Sequence, residues 1–216
     1  MKDTGWRFTA VLLLLGGLAC VAPASAGIYE DLLKAVDSGD SATVMASLQR
    51  GMDVNTVDRS GNSLLLLAAG NGNRALVDVL LAQRARLDVR NNVGDTALMV
   101  AALKGHKDIV QSLLGAGAET DQSGWTALQY AVIGGGADVA TLLIANGAKV
   151  DALAPNGMTA LMLAAKSGNR QVVKLLLAAK ADARFSTSDG STALKLAVKG
   201  GYEEVATLLR RAGAQE

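Results

Sequence analysis

Residues 157–179, GMTALMLAAKSGNRQVVKLLLAA, contain the pattern from which the architecture of this chain can be predicted. Thr159 suits a helix N-cap, because its hydroxyl can accept a backbone N–H that the first helical turn leaves without a partner. Apolar residues then recur at helical spacing up to Ala165, and Gly168 can adopt the positive φ that ends a helix. A second helix is predicted over residues 171–178. Apolar residues surround it, so neighbouring segments must cover both of its flanks.

The same pattern recurs at a fixed period. Its opening, Gly-x-Thr-Ala-Leu or a close variant, begins at Gly61, Gly94, Gly124, Gly157 and Gly190. The spacings are 33, 30, 33 and 33 residues, and a second glycine marker adds an earlier unit at Gly39. A unit of two helices cannot bury its apolar surface alone, so stacked units supply the core. A thin layer between stacked helix pairs also explains why 50% of the chain is hydrophobic and only 3% aromatic.

These features are similar to those of ankyrin repeats, which share the period, the Thr-Ala-Leu opening and a following Gly-x-x-x-Val-x-x-Leu-Leu pattern. The family consensus opens Thr-Pro-Leu-His. Here alanine replaces the proline, and the His position holds Met99, Gln129, Met162 and Lys195. The family's hydrogen bonds from that histidine must therefore be replaced. The resemblance covers residues 28–214 and implies an all-α ankyrin-repeat solenoid of about six stacked helix-turn-helix units, caps included, with β-turn fingers between them.

We expect the following organisation. Residues 1–26 form a cleaved signal peptide, and residues 27–58 form a diverged N-terminal capping repeat with helices near Glu30–Val36 and Ala42–Gln49. Ankyrin repeats follow at residues 59–91, 92–121 (with a short finger), 122–154 and 155–187, and residues 188–216 form the C-terminal capping repeat. A diverged first unit suits a cap, because one of its sides must face water.

The first residues have the order of a secretory signal peptide. A short basic stretch precedes an uncharged, leucine-rich run over residues 10–22, and the small residues Ala24-Ser25-Ala26 follow. We expect cleavage between Ala26 and Gly27 and a periplasmic location. A membrane anchor is one alternative, although the run is shorter than the roughly 20 residues that span a bilayer. A lipidated Cys20 is another, since residues 17–20 loosely resemble a bacterial lipoprotein box.

Charge and composition argue against several classes of function. The 21 basic and 20 acidic residues balance, which disfavours binding to nucleic acid or to an anionic membrane. One Cys and one His make a poor metal site. The histidine, His106, follows Gly105 in a repeat turn and is interpreted as structural, and the scattered finger acids are explained by turn formation. We therefore expect a non-catalytic protein with no cofactor and no metal ion.

Ankyrin solenoids bind proteins along a concave face made of finger tips and first helices, so the resemblance implies a protein partner there. Trp125 stands out as the only tryptophan beyond the signal peptide, at a finger position that is usually polar. The candidate partner-binding residues are Trp125, Val93, Asp95, Leu103, Gln122, Ile133, Met158 and Asn156. The alternative is that Trp125 packs over its own finger, which is three residues short.

The resemblance to exported ankyrin proteins leaves more than one role open. The first is an accessory protein that supports a periplasmic enzyme, for instance a catalase. The alternative is an immunity protein that neutralises a secreted toxin, and a lipid-anchored scaffold is a third reading. We expect a monomer that binds a protein partner, with no nucleic acid and no membrane contact after signal cleavage.

Overall fold

The computed structural model describes residues 23–215, so the predicted signal peptide lies almost wholly outside the described residues. The described part forms twelve α-helices, arranged as six pairs. The first helices of the pairs are α1 (Pro23–Ser38), α3 (Leu64–Gly70), α5 (Ala97–Lys104), α7 (Ala127–Ile133), α9 (Ala160–Lys166) and α11 (Ala193–Lys199). The second helices are α2 (Ser41–Gln49), α4 (Arg74–Ala82), α6 (Lys107–Gly115), α8 (Ala137–Ala145), α10 (Arg170–Ala178) and α12 (Glu203–Arg211). We number the pairs as units 1 to 6.

The helices stack in two layers. Each first helix packs on its own second helix and on the first helix of the next unit, and the second helices α2 to α12 stack in the same way. One core of Leu, Ala, Val, Ile and Met side chains runs from Leu32 to Ala214. Among the described residues, no aromatic side chain belongs to the buried part of this core. The thin helix layer inferred from the composition is therefore present.

The predicted helix signals are in place. The hydroxyls of Ser63, Thr96, Thr126, Thr159 and Thr192 each accept the backbone N–H three residues later, at 3.1–3.4 Å. Gly168 has a φ of 70°, as its role in ending the first helix of its unit requires. The fingers are short loops, and in units 2 and 6 an isolated antiparallel bridge closes them.

The first helix is longer than predicted. It begins at Pro23 rather than near Glu30, because proline suits a first helical turn and the alanines that follow favour a helix. The expected cleavage point between Ala26 and Gly27 thus falls inside α1. The hydroxyl of Tyr29, beyond that point, donates a hydrogen bond to the carbonyl of Val57 and ties α1 to the first finger.

The second glycine marker recurs in the helix turns, and at Gly39, Gly72, Gly135 and Gly168 the residue that follows the next unit's marker packs over the glycine. His106 Nε2 lies 3.3 Å from the carbonyl oxygen of Gly70, and a Cβ on Gly72 would lie 2.8 Å from the His106 ring. This contact agrees with the structural role predicted for His106. Between units 3 and 4 this contact is missing. Gly136 has no side chain, and a Cβ on Gly105 would meet no atom within 4 Å.

We expect Gly136→Asn to raise the free energy of unfolding by about 1 kcal/mol and the midpoint of thermal unfolding by about 2–4 °C. Gly136 has φ −80° and ψ 82°, close to the −76° and 87° of Asn169, so asparagine fits the existing backbone. Asn169 caps α10 by accepting the N–H of Val172 at 3.1 Å, whereas α8 has no side-chain cap. Thermal unfolding followed by circular dichroism measures the change. Gly136→Ala is the control, and an equal gain there would contradict the capping argument.

Candidate functional site

A groove runs between the first helices and the fingers. In units 5 and 6 it opens into a cleft of about 350 Å³. The finger residues Asn156 and Asp189 line one side of this cleft, and Lys166 and Leu196 of the first helices line the other. Because the units repeat, side chains at equivalent positions in the other units lie along the same concave face.

Half-buried apolar side chains form the floor of this groove. They occupy one equivalent position in successive first helices and pack against the core: Leu67, Val100, Tyr130, Leu163 and Leu196. We call these five residues the apolar ridge. Tyr130 differs from the others in being aromatic and in carrying a polar group.

Three side chains from two units meet at the middle of the ridge. The rings of Trp125 and Tyr130 pack edge to face, with centroids 6.1 Å apart and planes at 89°. The Tyr130 hydroxyl donates a hydrogen bond to Asp95 Oδ1, which lies on the finger of the preceding unit. Burial, followed by the contact with Asp95, raises the pKa of Tyr130 well above the ordinary phenol range. Tyr130 therefore keeps its proton, and keeps donating to Asp95, at more alkaline pH than an ordinary tyrosine would.

The structure places the predicted partner-binding residues in different surroundings. Trp125 and Asp95 are half-buried and come together through Tyr130, while Met158 and Asn156 line the cleft of units 5 and 6. Leu103 and Gln122 are also half-buried. Val93 is 80% exposed at a finger tip, and Ile133 is 51% exposed at the end of α7. Trp125 thus packs on the first helix of its own unit and keeps part of its surface open.

Tyr130 was not predicted as a site residue. A signal for it was available, because the equivalent positions in the other full units all hold aliphatic residues. An isolated aromatic at such a position on a binding face is a typical interface residue.

The short finger that carries Trp125 is held on both sides. The guanidinium of Arg90 donates to the carbonyls of Gly94 at 2.8 Å and Ser123 at 2.9 Å, so it links the fingers of units 3 and 4. On the other side, the carboxylate of Asp121 accepts the N–H of Lys149 at 3.0–3.1 Å. These bonds fix the finger before any partner arrives, which lowers the entropic cost of binding.

Gln129 replaces the family's histidine in this unit. Its side chain is buried, and Nε2 donates to the carbonyl of Ala152 in the next finger at 2.8 Å. Its Oε1 accepts the N–H of Thr126 at 3.0 Å and completes a capping box. In units 3 and 5 the equivalent residues are the buried apolar Met99 and Met162.

The finger acids take part in turns and in contacts between units. Asp58 accepts the N–H groups of Ser60 and Asn62, both at 2.8 Å. The hydroxyl of Thr187 and the N–H of Ser191 hold the pKa of Asp189 below its usual range. Within residues 23–215, no group of three His, Cys, Asp or Glu side chains is placed to hold a metal ion. Among the helices described, none combines the length and the hydropathy that a bilayer crossing requires.

Comparison with known proteins agrees with this architecture. The family model for ankyrin repeats matches residues 32–123, 71–154 and 137–215. A chain in the solved complex of the Bd0816 predatory endopeptidase from Bdellovibrio bacteriovorus with the immunity protein Bd3460 is 29% identical, with a TM-score of 0.75. The match covers 83% of this chain and 96% of that one. In all, 537 solved chains match, so the fold by itself does not select a partner. No curated protein matches.

Proposed function

The chain belongs to the ankyrin-repeat family, and we propose that it is an immunity protein that binds and neutralises an endopeptidase. The family and the all-α solenoid expected from the repeat are confirmed. Membership makes the chain a protein-interaction module of a family that is typically non-catalytic. Which protein it binds is the part that we propose.

One observation carries the choice of partner. The chain is similar to one from a complex of an endopeptidase with an immunity protein, and the similarity extends along nearly the whole of that chain. Of the roles left open by the sequence, this favours the immunity alternative. The accessory role, with a catalase as the example, has no comparable support.

The concave face is suited to inhibiting an enzyme by covering its active site. An inhibitor of this kind has no need of catalytic groups, because it must only fit the enzyme and exclude its substrate. The apolar ridge and the pair of Trp125 and Tyr130 offer an apolar centre, and the finger tips offer a polar rim. Finger contacts such as the Arg90 bridge make this surface rigid in advance.

We propose that the protein acts in the periplasm after residues 1–26 are removed. The sequence of this segment is the basis for the location. Cleavage before Gly27 would leave the part of α1 that contacts the rest of the molecule, including Tyr29 and the buried Leu32. An immunity protein in this compartment would meet an exported endopeptidase where that enzyme is active.

Titration into an endopeptidase tests the proposal. The enzymes are Bd0816 and the endopeptidase of the native host that is most similar to it, assayed on a fluorogenic peptide substrate. We expect activity to fall to the background at near-equimolar protein with the host enzyme. An ankyrin solenoid of equal length from another source is the control. A rise in activity would support the accessory role instead, and unchanged activity with both enzymes would contradict the proposal.

A further inference from the structure

The concave rim carries lysines that have no partner within the described chain. Lys104, Lys166 and Lys199 lie in the last turns of the first helices α5, α9 and α11, and all three are exposed. Within residues 23–215, no ion pair or hydrogen bond joins their ammonium groups to another residue. We call these three residues the rim lysines.

The helix dipole favours a cation in the last turn, but it does so equally for first and second helices. A cation in the last turn stabilises any helix, so the second helices should carry such residues as often. Yet α2, α4, α6, α8 and α10 have no basic residue in their last turns. Only α12, which caps the stack, has them. Of the first helices, α5, α9 and α11 end on a lysine, whereas α1, α3 and α7 have no basic residue in their last turns.

The acids and the other cation identified in the groove are engaged. Asp95 accepts the hydroxyl of Tyr130, and Asp189 accepts bonds from its own finger. Lys195 donates to the carbonyl of Gly190 at 3.0 Å. Within residues 23–215, none of these carboxylates forms an ion pair with a rim lysine, so the rim lysines keep exposed and unpaired charges on a chain whose total charge is only +1. Their field acts on whatever approaches the groove.

Charge and apolar surface meet in the cleft of units 5 and 6. Lys166 lines this cleft together with Met158 and Leu196. Lys199 occupies the equivalent place one unit further, and stacked helices are about 10 Å apart. A ligand in this groove would therefore meet two ammonium groups on the order of 10 Å apart beside an apolar floor.

We infer that the partner presents an acidic face, with carboxylates that reach the rim lysines around an apolar side chain that enters the groove. The inference rests on the proposed function, and it specifies the chemistry of the endopeptidase surface that is covered. Exposed ion pairs add little affinity, but they accelerate encounter between opposite charges and are screened by salt. The rim lysines should therefore act mainly on the association rate.

Two triple variants of equal charge test this inference. The rim variant is Lys104→Glu, Lys166→Glu and Lys199→Glu. The control variant is Lys107→Glu, Lys174→Glu and Lys180→Glu, which changes exposed lysines on or directly after second helices. Association with the host endopeptidase is measured at low and high salt. We expect the rim variant to associate about 10-fold more slowly at low salt and to approach the wild type at high salt.

The outcomes separate this inference from the proposed function. If the wild type neutralises the enzyme and the two variants associate equally fast, the acidic face is wrong and the proposed function stands.

A second readout does not need the enzyme: a random peptide library is panned on the wild type and on both variants. We expect the wild type and the control variant to enrich Asp or Glu next to apolar residues, and the rim variant to lose them. Enrichment without acids, or no enrichment, would overturn the inference.

Discussion

Gly134→Ala is expected to lower the thermal unfolding midpoint by about 5–10 °C, which corresponds to about 2–3 kcal/mol. Gly134 directly follows α7 with φ −71° and ψ −8°, so alanine meets no backbone strain there. A Cβ at this position would lie 2.1 Å from the carbonyl oxygen of Leu103 and 3.0 Å from its carbonyl carbon. These are backbone atoms, which cannot rotate away as a side chain would. The alanine therefore forces α5 and α7 apart.

Gly115→Ala is the matched control. It places the same methyl group at the end of α6, where a Cβ meets nothing within 4 Å and φ is not positive. Alanine favours a helix over glycine, so we expect a gain of up to about 1 kcal/mol. Differential scanning calorimetry on both variants measures the difference. Equal midpoints for the two would show that the close approach of α5 and α7 tolerates a methyl group, contrary to this prediction.

The helices could be predicted because the repeat applies one local rule several times. Thr159 and its equivalents begin first helices through their own hydroxyls, and Gly168 and its equivalents end them through φ. Both signals act within a few residues, so reading the chain is sufficient to find them. The repeat period and the apolar pattern of each unit then require that the units stack, because a single unit cannot bury its own apolar surface.

Contacts between units were harder to predict. Asp95 and Tyr130 are 35 residues apart, and they meet because a finger of one unit lies against the first helix of the next. Which residues meet across units depends on the length of the finger, and the finger of unit 4 is three residues shorter than the others. Arg84 and Lys180 have left-handed φ values of 60° and 64° at positions where other units have glycine. The sequence of a single unit gives no reason to expect a left-handed φ at Arg84 or Lys180. Only an alignment of the units shows that glycine usually holds this position.

The departures from the repeat concentrate in unit 4. Its finger is short, its first helix carries the buried Gln129 in the first turn, and Gly134 allows a close approach of α7 to α5. In this same unit Tyr130 interrupts an otherwise aliphatic ridge, and Trp125 packs against it. Regular units need only stack, whereas a unit that binds a partner must also present particular side chains. The irregular unit is therefore where recognition is expected.

Trp125→Ala is expected to weaken binding to the endopeptidase on the order of 100-fold while lowering the unfolding free energy by only about 1 kcal/mol. An edge-to-face aromatic pair contributes about 0.5–1.5 kcal/mol, and Trp125 is only half-buried. A tryptophan at the centre of an interface contributes more, because the partner buries its remaining surface. Binding is measured by calorimetric titration into the host endopeptidase, and stability by thermal unfolding of the same samples.

Two further variants separate recognition from packing. Tyr130→Phe keeps the ring against Trp125 and removes only the bond to Asp95, so we expect a smaller loss of affinity than for Trp125→Ala. Val57→Ala changes a finger residue of unit 2 that is 41% exposed, and we expect it to bind as the wild type does. If Trp125→Ala instead lowers the unfolding midpoint as far as Gly134→Ala does, Trp125 serves to hold the short finger, and its effect on binding follows from lost structure. A loss of binding with a much smaller change in the midpoint assigns Trp125 to contact with the partner, because the fold of the free protein then depends little on this side chain.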